Sequence, residues 1–489
     1  MKVLRYVIFW MALCLTFSQG YRILGVFAFQ GKSHFIMFEA LMKSLAKKGH
    51  QIDAITSFHL KKPLVNITEL VVIPSQMKLV NNISYDQMRL ILTGLPVRTV
   101  ATLGGNEVCE NLRLPEIQKL IHEPSKNPPY DVILMEIFGA NCFAVIGHVL
   151  NVPVIGVSTS DLYPWHHHLI GNPENLAIFP NNLLKYSNGM NFWQRTYNVL
   201  TTIYNKIYFN HLTEYQDEQI RKYVGPNLPG VRELEKNISL ILVNTYFSLN
   251  GIRPITQALI EVGGLHIQDD GTKISSELQK WLDESKDDFI YFSFGSMIKI
   301  ESIPRHILDI FYKSFGKISP VNVLMKITNS EELPPGLPKN VRISSWLPQL
   351  KILKHRNLKA FITHGGLMGT QEAISYGVPM IGIPLFADQF INIDKEAARK
   401  LSQQFLDRPL KPIDTANFWI EYIVKYGKDA LRSPAMDLNW WQVELLDVYA
   451  FLLLTSIVIV YITVHLTLMF LNMISSKVNI KVSRVKKIL

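Results

Sequence analysis

The stretch Trp346–Gln389 constrains the fold more than any other part of this 489-residue chain. Two short apolar runs within it, Ala360–Thr363 and Met380–Ile383, each end in a turn signal: His364-Gly365-Gly366 after the first and Pro384 after the second. Runs of that length with such boundaries predict buried parallel strands. The polar residues fall just past the strand ends. Trp346 and Gln349 follow the apolar run Val341–Ile343, His364 to Glu372 follow Ala360–Thr363, and Asp388 and Gln389 follow Met380–Ile383. Gly365-Gly366 also opens a helical stretch through Ala373. Strand, glycine turn and helix start together form a cradle for an anion, because free backbone N–H groups and the positive helix end face the same point. A lone His-Gly-Gly is an ordinary tight turn; the ordered set of polar residues is the signal.

The rest of the chain repeats the strand–helix alternation. The first half opens with Ile23–Phe29, a turn at Gly31-Lys32-Ser33 and a helical stretch Phe35–Lys48. Ile52–Thr56, Val132–Met135, Val154–Val157 and Leu240–Val243 are further short apolar runs between helical segments. Residues 269–288 are polar and read as a linker. Beyond it come Phe289–Phe294, Gly295-Ser296, Val323–Ile327 and Val341–Ile343. This pattern predicts an α/β chain with two doubly wound parallel sheets, divided as 21–268 and 289–436.

The string from Trp346 to Gln389 resembles the signature of the UDP-glycosyltransferases. That resemblance implies a GT-B architecture, two Rossmann-like domains facing a cleft, with acceptor bound by the first and UDP-sugar by the second. It implies inverting transfer of a hexose from a UDP-sugar to a hydroxyl of a small lipophilic acceptor. No cofactor and no metal are expected, the UDP-sugar being a co-substrate and Asp-X-Asp being absent from the chain. Likeness to insect members around Phe29–His34 favours UDP-glucose over UDP-glucuronate as donor.

The resemblance also distributes roles. Trp346 offers a flat face to the uracil ring. Gln349 and Glu372 lie near the ribose; His364, Gly366 and Gly369 hold the pyrophosphate, with Ser296 assisting across the cleft. Asp388 and Gln389 reach sugar hydroxyls, since ligands of open α/β sheets bind at the carboxyl ends of strands. Where many relatives carry Asn or Ser after the glycine pair, this chain has Leu367-Met368-Gly369-Thr370. Met cannot donate to phosphate, so Thr370 or backbone N–H groups must substitute. His34, on the turn after the first strand, is the expected catalytic base, an imidazole there being able to accept the proton of an acceptor hydroxyl. Glu136 stands where the family commonly has an orienting Asp, and fits if the backbone accommodates one more methylene.

The formal charge of +10 invites a nucleic-acid reading, but +2 of it lies in the first twenty residues and +5 in the last fifteen, leaving +3 for the body. No basic stripe interleaved with aromatics is present, which argues against nucleic acid. Residues 1–20 read as a signal peptide. Val448–Leu471 is long and apolar enough to span a bilayer, with acids before it and the cytoplasmic tail 472–489 basic. Lys486 and Lys487 resemble a dilysine retrieval signal, and Asn66, Asn82 and Asn237 open glycosylation sequons. These predict a single-pass type I protein of the endoplasmic reticulum membrane with a lumenal body. Cys109 and Cys142, the cysteines left after the leader, either pair in one disulfide or stand as two buried thiols. Association into homo- or hetero-oligomers is open.

One departure concerns length. Relatives carry another strand and further helices after the Asp-Gln loop, whereas here Ile391–Asp394 runs straight into Lys395–Arg399. The expectation is the loss of a strand–helix unit of roughly 30 residues or more, leaving Met380–Ile383 at a sheet edge. The alternative to an active transferase is therefore a catalytically impaired or regulatory form lacking part of the donor domain.

Overall fold

The computed structural model describes residues 20–485 except 61, 75–78, 89–95, 125, 187–188, 270, 386–387 and 394–397. The chain separates into two units, Met1–Ser433 and Pro434–Leu489. The first unit holds two parallel sheets.

The first sheet contains β1 (Arg22–Phe27), β2 (Gln51–Thr56), β3 (Ile67–Val72), β4 (Val132–Glu136), β5 (Val154–Ser158), β6 (Ile238–Val243) and β7 (Leu259–Glu261), in the order β3-β2-β1-β4-β5-β6-β7. Every residue of β4, β5 and β6 is buried. Helices cover both faces of such a sheet, which is why these strands read as continuous apolar runs rather than alternating ones. Helix α1 (Lys32–Lys47) buries Phe35, Phe38, Leu41, Met42 and Leu45, the inward stripe of a helical repeat. It stops at Gly49, whose φ of +94° suits glycine. Helices α2 (Pro96–Ala101) and α3 (Phe192–Leu212) lie in the long insertions after β3 and β5. β3 and β7 escape the sequence reading: β3 is only half-buried and β7 has three residues. Cys109 and Cys142 form a disulfide, which settles the open alternative.

The second half includes α4 (Ser276–Asp283), β8 (Phe289–Ser293), β9 (Asn322–Lys326), β10 (Val341–Ser344), α5 (Gln349–Leu353), β11 (Leu358–Thr363), α6 (Leu367–Ser375), β12 (Met380–Gly382), α7 (Gln389–Ile393) and α8 (Ala398–Leu406), with a further helix, Arg305–Lys317, between β8 and β9. Its sheet runs β10-β9-β8-β11-β12, all parallel. Alternate residues serve opposite faces. Phe289, Tyr291 and Leu324 enter one core, whereas Phe292, Val323 and Met325 enter the other. Among the described residues β10 and β12 are the edge strands, and Ile381 of β12 is 51% exposed. The edge forecast for this strand is what the sheet order gives.

Two boundaries differ from the sequence reading. The polar segment 269–288 contains α4, whose Leu278 and Leu282, one turn apart, pack beside Phe289 in the second half's core. Only the residues before α4 act as a connection. Helix α9 (Pro412–Tyr426), expected within the second domain, instead buries Ile413, Ala416, Ile420 and Ile423 in the first half's core. Its Asn417 Nδ2 donates to Ser44 Oγ at 2.7 Å, and Glu421 meets His50 at 3.0 Å. A reverse crossing occurs at Ile83 and Met88, which pack in a core of the second half; Asn81 N–H donates to the Ser296 carbonyl at 2.8 Å. Gln371 links the halves again, donating to the Asn244 carbonyl and accepting from Gly264 N–H.

The second unit contains α10 (Leu446–Val485), in which Leu446–Ser475 is long and apolar enough to cross a membrane.

Candidate active site

In a sheet that winds outward both ways from a central pair of strands, the connections leave that pair in opposite directions and open a crevice between them. In the first sheet the pair is β1 and β4, and in the second it is β8 and β11. The two crevices share a cavity of about 540 Å³.

His34 lies in the first turn of α1, just beyond β1, and Glu136 is the last residue of β4. Adjacent strands put them side by side: His34 Nδ1 is 2.5 Å from Glu136 Oε1. Thr159, immediately after the next strand β5, places Oγ1 2.9 Å from the same nitrogen. The glutamate is therefore long enough to reach, and the backbone accommodates its extra methylene. Glu136 is buried, and its other oxygen has no hydrogen-bond partner in the described structure. Phe29 and Phe138 pack on the imidazole at ring distances of 4.7 and 5.1 Å. Two acceptors on Nδ1 favour the tautomer that carries the proton there, which leaves the Nε2 lone pair unprotonated.

On the opposite wall, Trp346 is half-exposed in the loop between β10 and α5. Gln349 Nε2 donates to Glu372 Oε2 at 2.6 Å, and the Tyr291 hydroxyl donates to Gln349 Oε1 at 3.1 Å. The second Glu372 oxygen lies 3.3 Å from His266 Nε2 of the first half. His364 is wedged between two glycines. A Cβ on Gly295 or on Gly366 would sit 2.8 Å from its ring, so both positions exclude a side chain. Burial, followed by the nearby Lys326 cation, pushes the His364 pKa down to about 4. It is a neutral imidazole at pH 7, able to hydrogen-bond a phosphate but not to neutralise it.

The buried cation beside His364 is Lys326, at the carboxyl end of β9. Its Nζ donates to the Gly295 carbonyl at 2.8 Å and to Asn81 Oδ1 of the first half at 2.5 Å. Burial pushes its pKa down to about 8. The sequence reading missed it, although one lysine inside an otherwise apolar run, Val323 to Ile327, was the available signal. Thr159 and Asn392 were missed as well. Asn392 Nδ2 donates to Asp388 Oδ2 at 3.0 Å and to the Gly365 carbonyl at 3.1 Å, fastening the Asp388 loop to the glycine turn.

Of the residues chosen from sequence, His34, Ser296, Trp346, Gln349, His364, Gly366, Gly369, Glu372, Asp388 and Gln389 line the cavity, and Glu136 backs His34. Thr370 does not. It is fully buried on α6, and its hydroxyl cannot substitute for the missing phosphate donor. The reason is helical phase: Met368, Gly369 and Glu372 share the cavity face, and Thr370 lies about 200° around the helix from Met368. Backbone N–H groups at the start of α6 remain. Asn66, Asn82 and Asn237 are all exposed, and Lys486 and Lys487 fall outside the described residues.

A family profile described as UDP-glucoronosyl and UDP-glucosyl transferase matches residues 26–399 and 393–481. The chain belongs to the UDP-glycosyltransferase family. It is similar to UDP-glucosyltransferase 2 of Dactylopius coccus, at 33% identity over 483 residues, covering 90% of this chain and 91% of that one. A UDP-glucuronosyltransferase of Pleuronectes platessa is 30% identical over 393 residues, covering 73% and 81%. A Medicago truncatula protein solved with UDP-glucose shares the fold at a TM-score of 0.51 and 16% identity, covering 83% of this chain and 98% of that one. The chain is thus an enzyme of GT-B fold that transfers sugar from a UDP-sugar co-substrate, and enzymes of this family need no cofactor.

Proposed function

We propose that this transferase moves a hexose, with UDP-glucose the favoured donor, to a hydroxyl of a small lipophilic acceptor with inversion at the anomeric carbon. The observation that carries this reading is the His34–Glu136 pair at one side of a cavity whose other side is the Trp346–Gln389 surface. His34 Nε2 takes the acceptor's proton as its oxygen attacks; the sugar–phosphate bond breaks and UDP departs from the opposite face. Glu136 and Thr159 orient the imidazole and Glu136 stabilises the cation it becomes. Trp346 stacks on the uracil, Gln349 and Glu372 hold the ribose, and Asp388 and Gln389 bind sugar hydroxyls. His364, Ser296 and the backbone at Gly366 and Gly369 receive the pyrophosphate, with Lys326 supplying the positive charge that a neutral His364 lacks. Phe29, Phe138, Tyr163 and Leu183 give the acceptor side an apolar lining, in keeping with a lipophilic acceptor.

The same reading makes the protein a single-pass resident of the endoplasmic reticulum membrane with its body in the lumen. Its supports are the apolar stretch Leu446–Ser475, the basic tail after it, the leader-like first twenty residues and the exposed sequons. The test of the chemistry is His34→Ala in the full-length protein, with product identified by mass across a panel of donors and acceptors. Turnover should fall by roughly 10²–10⁴-fold while UDP affinity is kept. Turnover close to the unmodified enzyme would overturn the assignment of the base.

A further inference from the structure

Gln371 and Glu372 are consecutive on α6, and both meet the first half at one place, the tight turn of residues 262–267 that follows β7. Val262 and Leu265 are fully buried in the first half's core, so the turn is anchored there. Gly264, at a φ of +85°, donates its N–H to Gln371 Oε1 at 3.1 Å. A Cβ on Gly263 would stand 2.6 Å from the Thr245 carbonyl oxygen and 3.2 Å from Gln371 Nε2, so no side chain fits between the turn and α6. His266 is held in this turn with its imidazole fully buried. Buried polar groups ordinarily have hydrogen-bond partners, yet neither nitrogen of this ring has one in the described structure. The ring faces the Glu372 carboxylate, whose Oε1 stands 3.3 Å from Nε2. Glu372 borders the cavity, and its Oε2 accepts from Gln349 Nε2 at 2.6 Å. One oxygen is therefore gripped from within the second half, and the other is faced by the first.

We infer that His266 is a positioning residue for the nucleotide's ribose: an N–H on its Nε2 fixes the Glu372 carboxylate in the orientation that accepts the 2′- and 3′-hydroxyls. The inference rests on reading Glu372 as the ribose-binding carboxylate. A carboxylate has about four lone-pair sites, and one held at both oxygens presents the remaining sites to a diol in a single geometry. Gln349 holds one oxygen and leaves the group free to swing about that bond; a charge-assisted bond from His266 stops the swing. The 3.3 Å separation is near hydrogen-bond length without the alignment of one, so a small rotation of the carboxylate completes it. Hydroxyls arriving from the cavity side favour that rotation, because they need the lone pairs that His266 and Gln349 leave open. Since His266 is anchored in the first half, the ribose subsite is complete only where the two halves meet, and part of the nucleotide's affinity then depends on the half that binds the acceptor.

The test measures binding of UDP and of 2′,3′-dideoxy-UDP to the full-length protein by calorimetric titration. His266→Leu nearly keeps the volume and removes the N–H. UDP should then bind roughly tenfold more weakly, while the dideoxy analogue keeps the affinity it has for the native enzyme. His266→Gln restores an N–H at similar reach and should recover most of the loss. In a Glu372→Ala background the leucine change should add nothing. If leucine prevents folding, His266→Met, flexible enough to fill the same space without donating, takes its place in every arm. Equal weakening of both nucleotides overturns the inference, because the change has then only loosened the turn against α6. No weakening of either overturns it too, since Glu372 is then held without His266. A Glu372→Ala enzyme that prefers UDP to the analogue as strongly as the native one does overturns the ribose reading, and the inference with it.

Discussion

Replacing Glu136 by glutamine tests the reasoning about the site most directly, because it changes one hydrogen-bond polarity and almost no volume. In the native site a carboxylate that can only accept lies 2.5 Å from His34 Nδ1. The glutamine amide can instead donate to that nitrogen and hold its lone pair, which places the proton on Nε2 and removes the base. In Ser-His-Asp hydrolases the equivalent loss of the correct tautomer lowers kcat by about 10⁴. Thr159 remains 2.9 Å away as a second acceptor, so the expected loss here is roughly 10²–10⁴-fold, or about 3–5 kcal/mol of barrier. Glu136→Asp is the graded control. Shortening by one methylene withdraws the carboxylate by about 1.5 Å, so that the contact opens to about 4 Å and ceases to be a hydrogen bond. Thr159 then orients the ring alone, and a loss of roughly tenfold, about 1.4 kcal/mol, is expected. The assay is UDP release by full-length variants at saturating UDP-sugar, with thermal unfolding measured alongside. Because Glu136 belongs to the first half, UDP affinity should be unchanged. Glutamine and wild-type enzymes of equal kcat would refute the claim that Glu136 sets the tautomer of His34.

Lys326 should make UDP binding weaken as pH rises through about 8, since burial has lowered its pKa to that region and deprotonation removes the charge. Calorimetric titration should show this decline in the native enzyme and a flat profile in Lys326→Arg; a flat native profile would sink it. His166 and His167 are pushed to about 3 and His364 to about 4, in each case chiefly by burial, so they stay neutral in the folded body. The unfolded chain binds their protons first, hence stability is full above about pH 6.5 and falls as pH drops toward 4, by up to about 1.4 kcal/mol per unit for each histidine. A melting temperature that does not change between pH 7 and pH 5 would contradict this. Inserting a relative's segment after Asp394 should raise protease resistance while leaving His34-dependent transfer intact; equal resistance would show that the shorter form is already complete.

The strand ends were legible in sequence because buried parallel strands are short, apolar on both faces and punctuated. Residues just beyond those ends, His34, His364 and Asp388 among them, fell on the cavity for the same reason. Contacts between halves were not legible. Nothing local marks Asn81 as a partner of Lys326, 245 residues away, or Gln371 as the clasp on Gly264. Thr370 failed on a smaller scale. Its chemistry suited a phosphate, but helical phase turned it into the core, and phase depends on where α6 begins. Helix α3 shows the converse: its periodicity is ordinary, and only burial reveals that the apolar side faces out.

The break near Asp394 bears on whether such a chain can work. The two blocks of the family match overlap at 393–399, beside the point at which the sequence reading expects a lost strand–helix unit. The sheet order β10-β9-β8-β11-β12 has no sixth strand beyond β12 among the described residues. Yet the strands that bear the crevice, β8 and β11, lie inside the sheet, and among the described residues every cavity-lining residue of the second half precedes the break. On either side of it the chain finds partners. Ile393 at the end of α7 packs so closely on Gly365 and Gly382 that a Cβ at either glycine would meet it at 2.5 and 2.1 Å. Phe405 of α8 is buried with Leu249 and Ile374, and α9 returns to the first half's core. A lost unit there would remove cover for one edge strand, where Ile381 is half in solvent. Its cost should therefore appear in stability and association, with the chemistry at His34 preserved.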